Sequence, residues 1–215
     1  MRGINRILTA PFTAFFIRSG LHPNYITLLG GAVGILAFFS FSIGTKAGFI
    51  VGAFLFEAFY ILDNCDGEVA RARGLSSEFG SWMDTLVDCF IHVLAFIGIG
   101  IGASRIAENP LMIFVGIAAG MGTFLSTFVA MLQKTRNYGL AIHGMPKAPA
   151  GAEKKITAID RLIDILSVGD FSLVLLLFAI FNKMELLLWL GAIGANLFCI
   201  ILLAINFKYL TGREE

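Results

Sequence analysis

The sequence predicts an all-α integral membrane protein with six transmembrane helices behind an N-terminal amphipathic surface helix. Composition gives the first reason: of 215 residues, 57% are hydrophobic and only 14% are charged. Soluble domains run nearer to about 45–50% apolar and 25% charged. A core of this size cannot hide the surplus, so apolar surface must face lipid. The second reason is the presence of six long apolar stretches, and the third is a strong asymmetry of basic charge between their two ends. A net charge of +1 excludes a nucleic-acid binder held by basic charge, and the composition excludes a soluble enzyme or a disordered chain. Cys65, Cys89 and Cys199 lie in or beside apolar stretches without paired spacing, which indicates neither a disulfide framework nor a zinc site.

Met1–Pro23 interleaves Ile4, Ile7, Leu8, Phe12, Phe15 and Phe16 with Arg2, Arg6 and Arg18, and Pro11 interrupts the run. This is an amphipathic juxtamembrane helix rather than a signal peptide. A hydrocarbon core of roughly 30 Å needs roughly 20 apolar residues in a helix. The stretches 25–44, 47–65, 80–103, 110–132, 170–183 and 186–207 meet or approach that length, the fifth being short. The chain thus divides into the surface helix (1–23), a six-helix domain (24–210) and a C-terminal tail (211–215). Between the fourth and fifth spans, Ile156–Val168 carries apolar residues at helical periodicity and predicts a second interfacial helix. Gly30/Gly34, Gly98/Gly102 and Gly116/Gly120 repeat small residues at helical spacing, the pattern of close helix packing.

With the N-terminus in the cytoplasm, the inner side receives Arg2, Arg6, Arg18, Arg71, Arg73, Lys134, Arg136, Lys147, Lys154, Lys155, Arg161, Lys208 and Arg213. The outer side receives Lys46, Arg105 and Lys183. This positive-inside bias places both termini, the 63–79 connection and the 133–169 connection in the cytoplasm of a multi-pass cell-membrane protein.

Against that background four acids stand out. Asp63, Asp66, Asp84 and Asp88 sit at the cytoplasmic ends of two apolar helices joined by a short turn. Charge at membrane depth costs at least about 2.5–3.5 kcal/mol per residue on insertion scales. Four clustered anions either take up protons or share a cation. Asp63/Asp66 are spaced i,i+3 and Asp84/Asp88 i,i+4, so each pair shares a helix face, and antiparallel packing of the two helices would bring the pairs together. Oxygen ligands without His or Cys favour a hard cation, Mg²⁺ or Mn²⁺. Four carboxylates can hold two such ions, an arrangement suited to phosphoryl transfer. Gly67 clears a place for a phosphate or ribose, and Arg71, one turn on, offers a guanidinium fork for phosphate oxygens. The competing structural reading is a salt-bridge network of Asp66, Arg71 and Arg73 without metal.

The run Asp63-x2-Asp66-Gly67-x2-Ala70-Arg71-x8-Gly80-x3-Asp84-x3-Asp88 resembles, at all eight fixed positions over 26 residues, the signature of the class I CDP-alcohol phosphotransferases, also called CDP-alcohol phosphatidyltransferases. The resemblance implies a cytoplasm-facing polar active-site cavity and a site for two divalent cations. It further implies that Asp63, Asp66 and Asp84 are metal ligands, that Asp88 both contacts metal and acts as general base, and that Gly67 and Arg71 contact the CDP moiety. Leu21–Thr27 resembles the stretch that opens the first span in the family, which would put Asn24 and Thr27 near the cytidine. Ser77 falls where some members hold the donor phosphate. The implied reaction moves the phospho-alcohol group of a CDP-alcohol (CDP-diacylglycerol or a soluble CDP-alcohol) to an alcohol or phospho-alcohol acceptor, releasing CMP. Homodimers are common among relatives.

Lys134, Arg136 and Arg161 are candidates for an anionic acceptor, or equally topology charges at the headgroup level. Glu57, inside the second span, reads as an interhelical hydrogen-bonder or as a group that tunes the metal site, and His92 as a packed interhelical hydrogen-bonder rather than a ligand. Asp170 reads as a helix cap or a group facing the cavity, His143 has no partner motif, and Trp82 and Trp189 read as interfacial or packing aromatics. An acidic-motif prenyltransferase would show two Asp-rich clusters on distant helices, and an ion-coupled transporter would carry acids near the midplane of both halves. One hairpin carrying all four acids fits neither.

Overall fold

The computed structural model of the chain describes the backbone over 4–137 and 171–210 and the side chains over 9–129 and 171–204. All of its regular elements there are helices: α1 (Ile4–Ser19), α2 (Pro23–Ser42), α3 (Lys46–Ala72), α4 (Glu78–Ala107), α5 (Leu111–Asn137), α6 (Phe171–Ile180) and α7 (Met184–Leu210). Five of them, α2, α3, α4, α5 and α7, are long and apolar enough to cross a membrane, and α6 is a ten-residue apolar helix. Among the described residues there are thus five candidate spans, one fewer than the six expected, with α6 too short to count by length. Ile156–Val168, His143, Arg161, Asp170 and the 211–215 tail lie outside the described residues.

Local chemistry explains where the helices start and stop. Pro23 opens α2, where a missing N–H costs nothing, and the His22 ring accepts from Asn24 N. Thr45 caps α3 by accepting from Gly48 N at 3.0 Å, and Ser77 caps α4 by accepting from Gly80 N at 3.0 Å. No proline intervenes between Asp63 and Gly74 and the isolated Gly67 is tolerated within the helix, so α3 continues to Ala72, and the connection expected over 63–79 contracts to 73–77. Gly74, at φ +65°, takes the left-handed conformation that turns the chain into it.

The two acid-bearing helices do not pack directly along their length. Instead α2 lies between α3 and α4 and makes extensive contact with both. Glycine explains the wedge. On α2, a side chain at Gly30 would meet Leu62 and Phe59 of α3, and one at Gly34 would meet Ile91 of α4. Facing it, Gly98 and Gly102 of α4 lie against the Phe38 and Phe41 carbonyls, so the two backbones come within touching distance. Gly116 meets Gly100 where α5 crosses α4, and Gly120 lies on Val93. The core this creates is built on Phe41, Phe56, Phe59, Ile91, Ile99, Leu175 and Leu188.

Helix α1 docks on α3 through Thr9, Thr13 and Phe16, beside Ile26, Cys65 and Val69. The Thr13 hydroxyl donates to Glu68 Oε2 at 2.6 Å. Phe12, Phe15 and Ile17 point away from the protein, as a helix resting in the membrane surface requires.

Candidate active site

Where the N-terminus of α2, the last turns of α3 and the first turns of α4 meet, they leave a cleft of about 300 Å³. Helix periodicity selects its lining. Asn24 and Thr27 share the first turn of α2, Asp66, Gly67 and Arg71 come from one side of α3, and Ser77, Gly80 and Asp84 line the start of α4. Because α2 separates the acid-bearing helices, this end of the bundle stays open rather than closing into a helix–helix contact.

The four aspartates form one electrostatic cluster. Asp63 lies within reach of Asp66, Asp84 and Asp88, and its side chain contacts that of Asp84. Two carboxylates hold such a contact only with a proton or a cation between them. Asp66, almost fully buried, accepts from the Thr27 hydroxyl across the α2–α3 interface. Asp88 is engaged by His92, whose Nδ1 lies 3.1 Å from Oδ1.

Among the described residues no lysine or arginine makes a direct ion pair with Asp63 or Asp66, although the Arg71 charge acts on Asp66 from the cleft rim. Among those residues His92 makes the ion-pair contact of the cluster, with Asp88. Arg73 is used elsewhere, donating to the Leu21 carbonyl at 2.8 Å. Arg71 is exposed on the cleft rim and folds over Gly67, where a Cβ would come 3.2 Å from its Nη1. The metal-free salt-bridge network that the sequence also allows is therefore absent among the described residues.

The donor set suits a hard divalent cation, since all its ligand atoms are carboxylate oxygens and Asp63 Oδ1 is buried with no hydrogen-bond partner. Among the described residues no three acidic, imidazole or thiol groups converge closely enough to clasp a single ion. Asp66 and Asp88 are each turned to a hydrogen-bond partner. The cluster is thus a chemically matched ligand set in an open arrangement.

The remaining candidates are placed as follows. Gly80 keeps the cleft floor clear, for a Cβ there would lie 3.1 Å from Ser77 Oγ and 3.5 Å from Asn24 Oδ1. Ser77 lines the cleft while capping α4. Lys134 and Arg136 fall on the last described turn of α5, and Arg161 lies outside the described residues. Glu57 makes no hydrogen bond among the described residues, contrary to the interhelical role expected of it: both its oxygens are buried without a donor. His92 bonds along its own helix rather than between helices. Two links escaped sequence reasoning. Thr27–Asp66 spans 39 residues and has no local signal. His92–Asp88 has one, the i,i+4 spacing already used for Asp84 and Asp88.

Comparison with known proteins gives concordant results. Residues 20–157 match the family model for CDP-alcohol phosphatidyltransferase. The chain is 29% identical over 170 residues to a phosphatidylinositol phosphate synthase of Streptomyces avermitilis, covering 78% of this chain but 63% of that one. It is 26% identical to an uncharacterised protein of Aquifex aeolicus, covering 82% of its length. Over 87 residues, 39% of this chain and 43% of the relative, it is 36% identical to an archaetidylinositol phosphate synthase of Pyrococcus horikoshii. The fold superposes on that of the Mycobacterium tuberculosis phosphatidylinositol phosphate synthase with CDP-DAG bound, at a TM-score of 0.62 and 22% identity, covering 91% of this chain and 92% of that one. The same Mycobacterium protein has also been solved with manganese and citrate (TM-score 0.60, 23% identity, 91% and 87% covered). With the family model matching well over half of its length, the chain belongs to the CDP-alcohol phosphatidyltransferase family.

Proposed function

We propose that the protein transfers the phospho-alcohol group of a CDP-alcohol to the hydroxyl of an acceptor, releasing CMP and forming a phosphodiester. The observation that carries this reading is the single cleft in which α2, α3 and α4 gather Asp66, Asp84, Gly67, Gly80 and Arg71, with Asp63 and Asp88 in the same electrostatic cluster. Divalent cations, two Mg²⁺ or Mn²⁺ held by Asp63, Asp66, Asp84 and Asp88, would supply charge neutralisation at the diphosphate. Gly67 and Gly80 let the donor approach backbone. Arg71, which makes no direct ion pair among the described residues, swings from Gly67 onto a phosphate oxygen. Asn24 and Ser77 offer polar groups on the nucleotide side, and Thr27 steadies Asp66. Asp88 accepts the proton of the attacking hydroxyl.

The donor we favour is CDP-diacylglycerol, supported by the ligand of the Mycobacterium structure and by a cleft set between membrane helices. The acceptor we favour is a phosphorylated polyol alcohol. The names of the Streptomyces and Pyrococcus relatives support it, as do the basic residues Lys134, Arg136 and Arg161 that follow the fourth span in the sequence. The cleft faces the cytoplasm, as the basic residues argue, and the working assembly is a homodimer, common among relatives.

The test is CMP release from CDP-diacylglycerol by purified protein with Mg²⁺, over a panel of free and phosphorylated alcohols, alongside Asp88→Asn. Turnover is expected with a phosphorylated acceptor. The variant should lose at least about 100-fold in kcat, the lower range of a positioned general base, while still binding donor. Wild-type rates in Asp88→Asn would remove the base assignment, and absence of CMP release with every acceptor would remove the reaction.

A further inference from the structure

Asp88 is held from behind. One turn along α4, His92 places Nδ1 3.1 Å from Asp88 Oδ1 and 2.9 Å from the Asp88 backbone oxygen. A backbone carbonyl oxygen only accepts, so Nδ1 carries the hydrogen and shares it between the two oxygens. The ring is fixed in turn by aromatic side chains from two other helices. Phe56 of α3 meets it edge-on at a centroid distance of 5.2 Å, Phe59 of α3 at 6.2 Å, and Phe171 of α6 at 5.9 Å. Side-chain exposure is 19% for His92 and 37% for Asp88, so the imidazole is shielded while the carboxylate keeps an open side.

This is costly unless the ring has work to do. A polar ring among phenylalanines is stabilised by an apolar replacement unless its hydrogen bond matters. A carboxylate facing three others is repelled by them, and an N–H donor on its far side counters that repulsion and restricts its rotation.

We propose that His92 is a positioning residue for Asp88. Its Nδ1–H occupies Oδ1, fixes the carboxylate rotamer, and leaves Oδ2 as the oxygen that takes the acceptor's proton. This rests on the reading of Asp88 as the base. In that step the acceptor O–H bond breaks and its proton passes to Asp88. The freed oxygen lone pair forms the bond to the β-phosphorus, and the bond from that phosphorus to the bridging oxygen breaks with its electron pair leaving on CMP. His92 keeps its own proton throughout.

Two substitutions separate positioning from packing. His92→Phe keeps a ring among Phe56, Phe59 and Phe171 and removes the donor. His92→Asn keeps an N–H donor near the place of Nδ1 and gives up the ring. Each is measured for kcat and donor KM by CMP release, and for CDP-diacylglycerol binding by calorimetry. His92→Leu stands in if the Phe variant does not elute as the wild type does. We expect the donor-less variant to lose about 10–100-fold in kcat, the range seen when groups supporting a ligand are removed. Donor KM and calorimetric affinity should stay within about twofold, the signature of an interaction that acts in the transition state. His92→Asn should recover most of the lost turnover. Wild-type kcat in the donor-less variant, an Asn variant as impaired as the Phe variant, or loss of donor binding in step with kcat would each overturn the proposal. A wild-type protein that releases no CMP would instead overturn the reading of the reaction, which keeps the two failures apart.

Discussion

Thr27 shows how much of this site depends on single hydroxyls. It is buried on the first turn of α2, and its Oγ1 donates to Asp66, the most buried of the four acids. A buried carboxylate oxygen stripped of its donor carries a penalty of about 1–3 kcal/mol or more. It also loses the contact that holds it toward the cleft. Thr27→Val preserves side-chain shape and removes the donor, while Thr27→Ser keeps the donor. With Asp66 holding metal as proposed, the Val variant should need about tenfold more Mg²⁺ for half-maximal CMP release, the scale typical of losing a hydrogen bond to a metal ligand. The Ser variant should lie close to wild type. An unchanged Mg²⁺ requirement in Thr27→Val would show that Asp66 does not depend on Thr27. The same logic explains why Arg71 differs from Arg73: two residues apart on one helix end, one lies over a glycine at the cleft rim and the other is committed to the Leu21 carbonyl.

At the scale of elements, the site exists because α2 can wedge between α3 and α4. That wedge rests on glycines rather than on large side chains. Gly102 of α4 faces the Phe41 carbonyl of α2 with no room for a Cβ, and its other neighbour is the ring of Phe49. Backbone cannot swing aside as a side-chain tip can, so Gly102→Ala forces α2 and α4 apart. Overpacking of this kind costs about 1–3 kcal/mol. The thermal midpoint of the detergent-solubilised protein should fall by several degrees, followed by size-exclusion chromatography with heating. Gly194 on α7 has open space where a Cβ would stand, with nothing within 4 Å, so Gly194→Ala provides the control and should leave the midpoint in place. A Gly102→Ala protein as stable as the control would mean that the α2–α4 contact is not tight in the membrane. Much of this layout was legible in the sequence. The spaced glycines read as packing, and the spans fell on α2, α3, α4, α5 and α7, although α3 runs seven residues past the expected end at 65. The order of packing was not legible, because apolar periodicity says which face is buried and not which neighbour covers it. Hence the expected direct pairing of α3 with α4 gave way to a shared partner.

For the molecule as a whole, the signature aspartates were legible because charge in an apolar helix is conspicuous, whereas the polar links that steady them were hidden. Thr27 looks like any threonine at a helix start, and Glu57, equally conspicuous by charge, has no partner among the described residues. Orientation is the property with the widest consequence, since the proposed transfer draws its nucleotide donor from the cytoplasm. The structure puts the α2–α3 turn beside the end of α4, with Gly44 against Gly102 and Arg105, and puts the cleft at the opposite end near Leu21 and Arg73. One end therefore carries Lys46 and Arg105, and the other carries Arg18, Arg71 and Arg73. Positive-inside bias over these residues supports the proposed inward orientation of the cleft. Cys65, Cys89 and Cys199 are all buried, so a single introduced cysteine can be labelled against a low background. Lys46→Cys and Ser76→Cys mark opposite ends, both at exposed positions. A membrane-impermeant maleimide added to intact cells should label Lys46→Cys and spare Ser76→Cys, and in inverted vesicles the pattern should reverse. Labelling of Ser76→Cys from outside would place the cleft away from the cytosolic nucleotide pool, and a cytidine-diphosphate donor would then have no route to it.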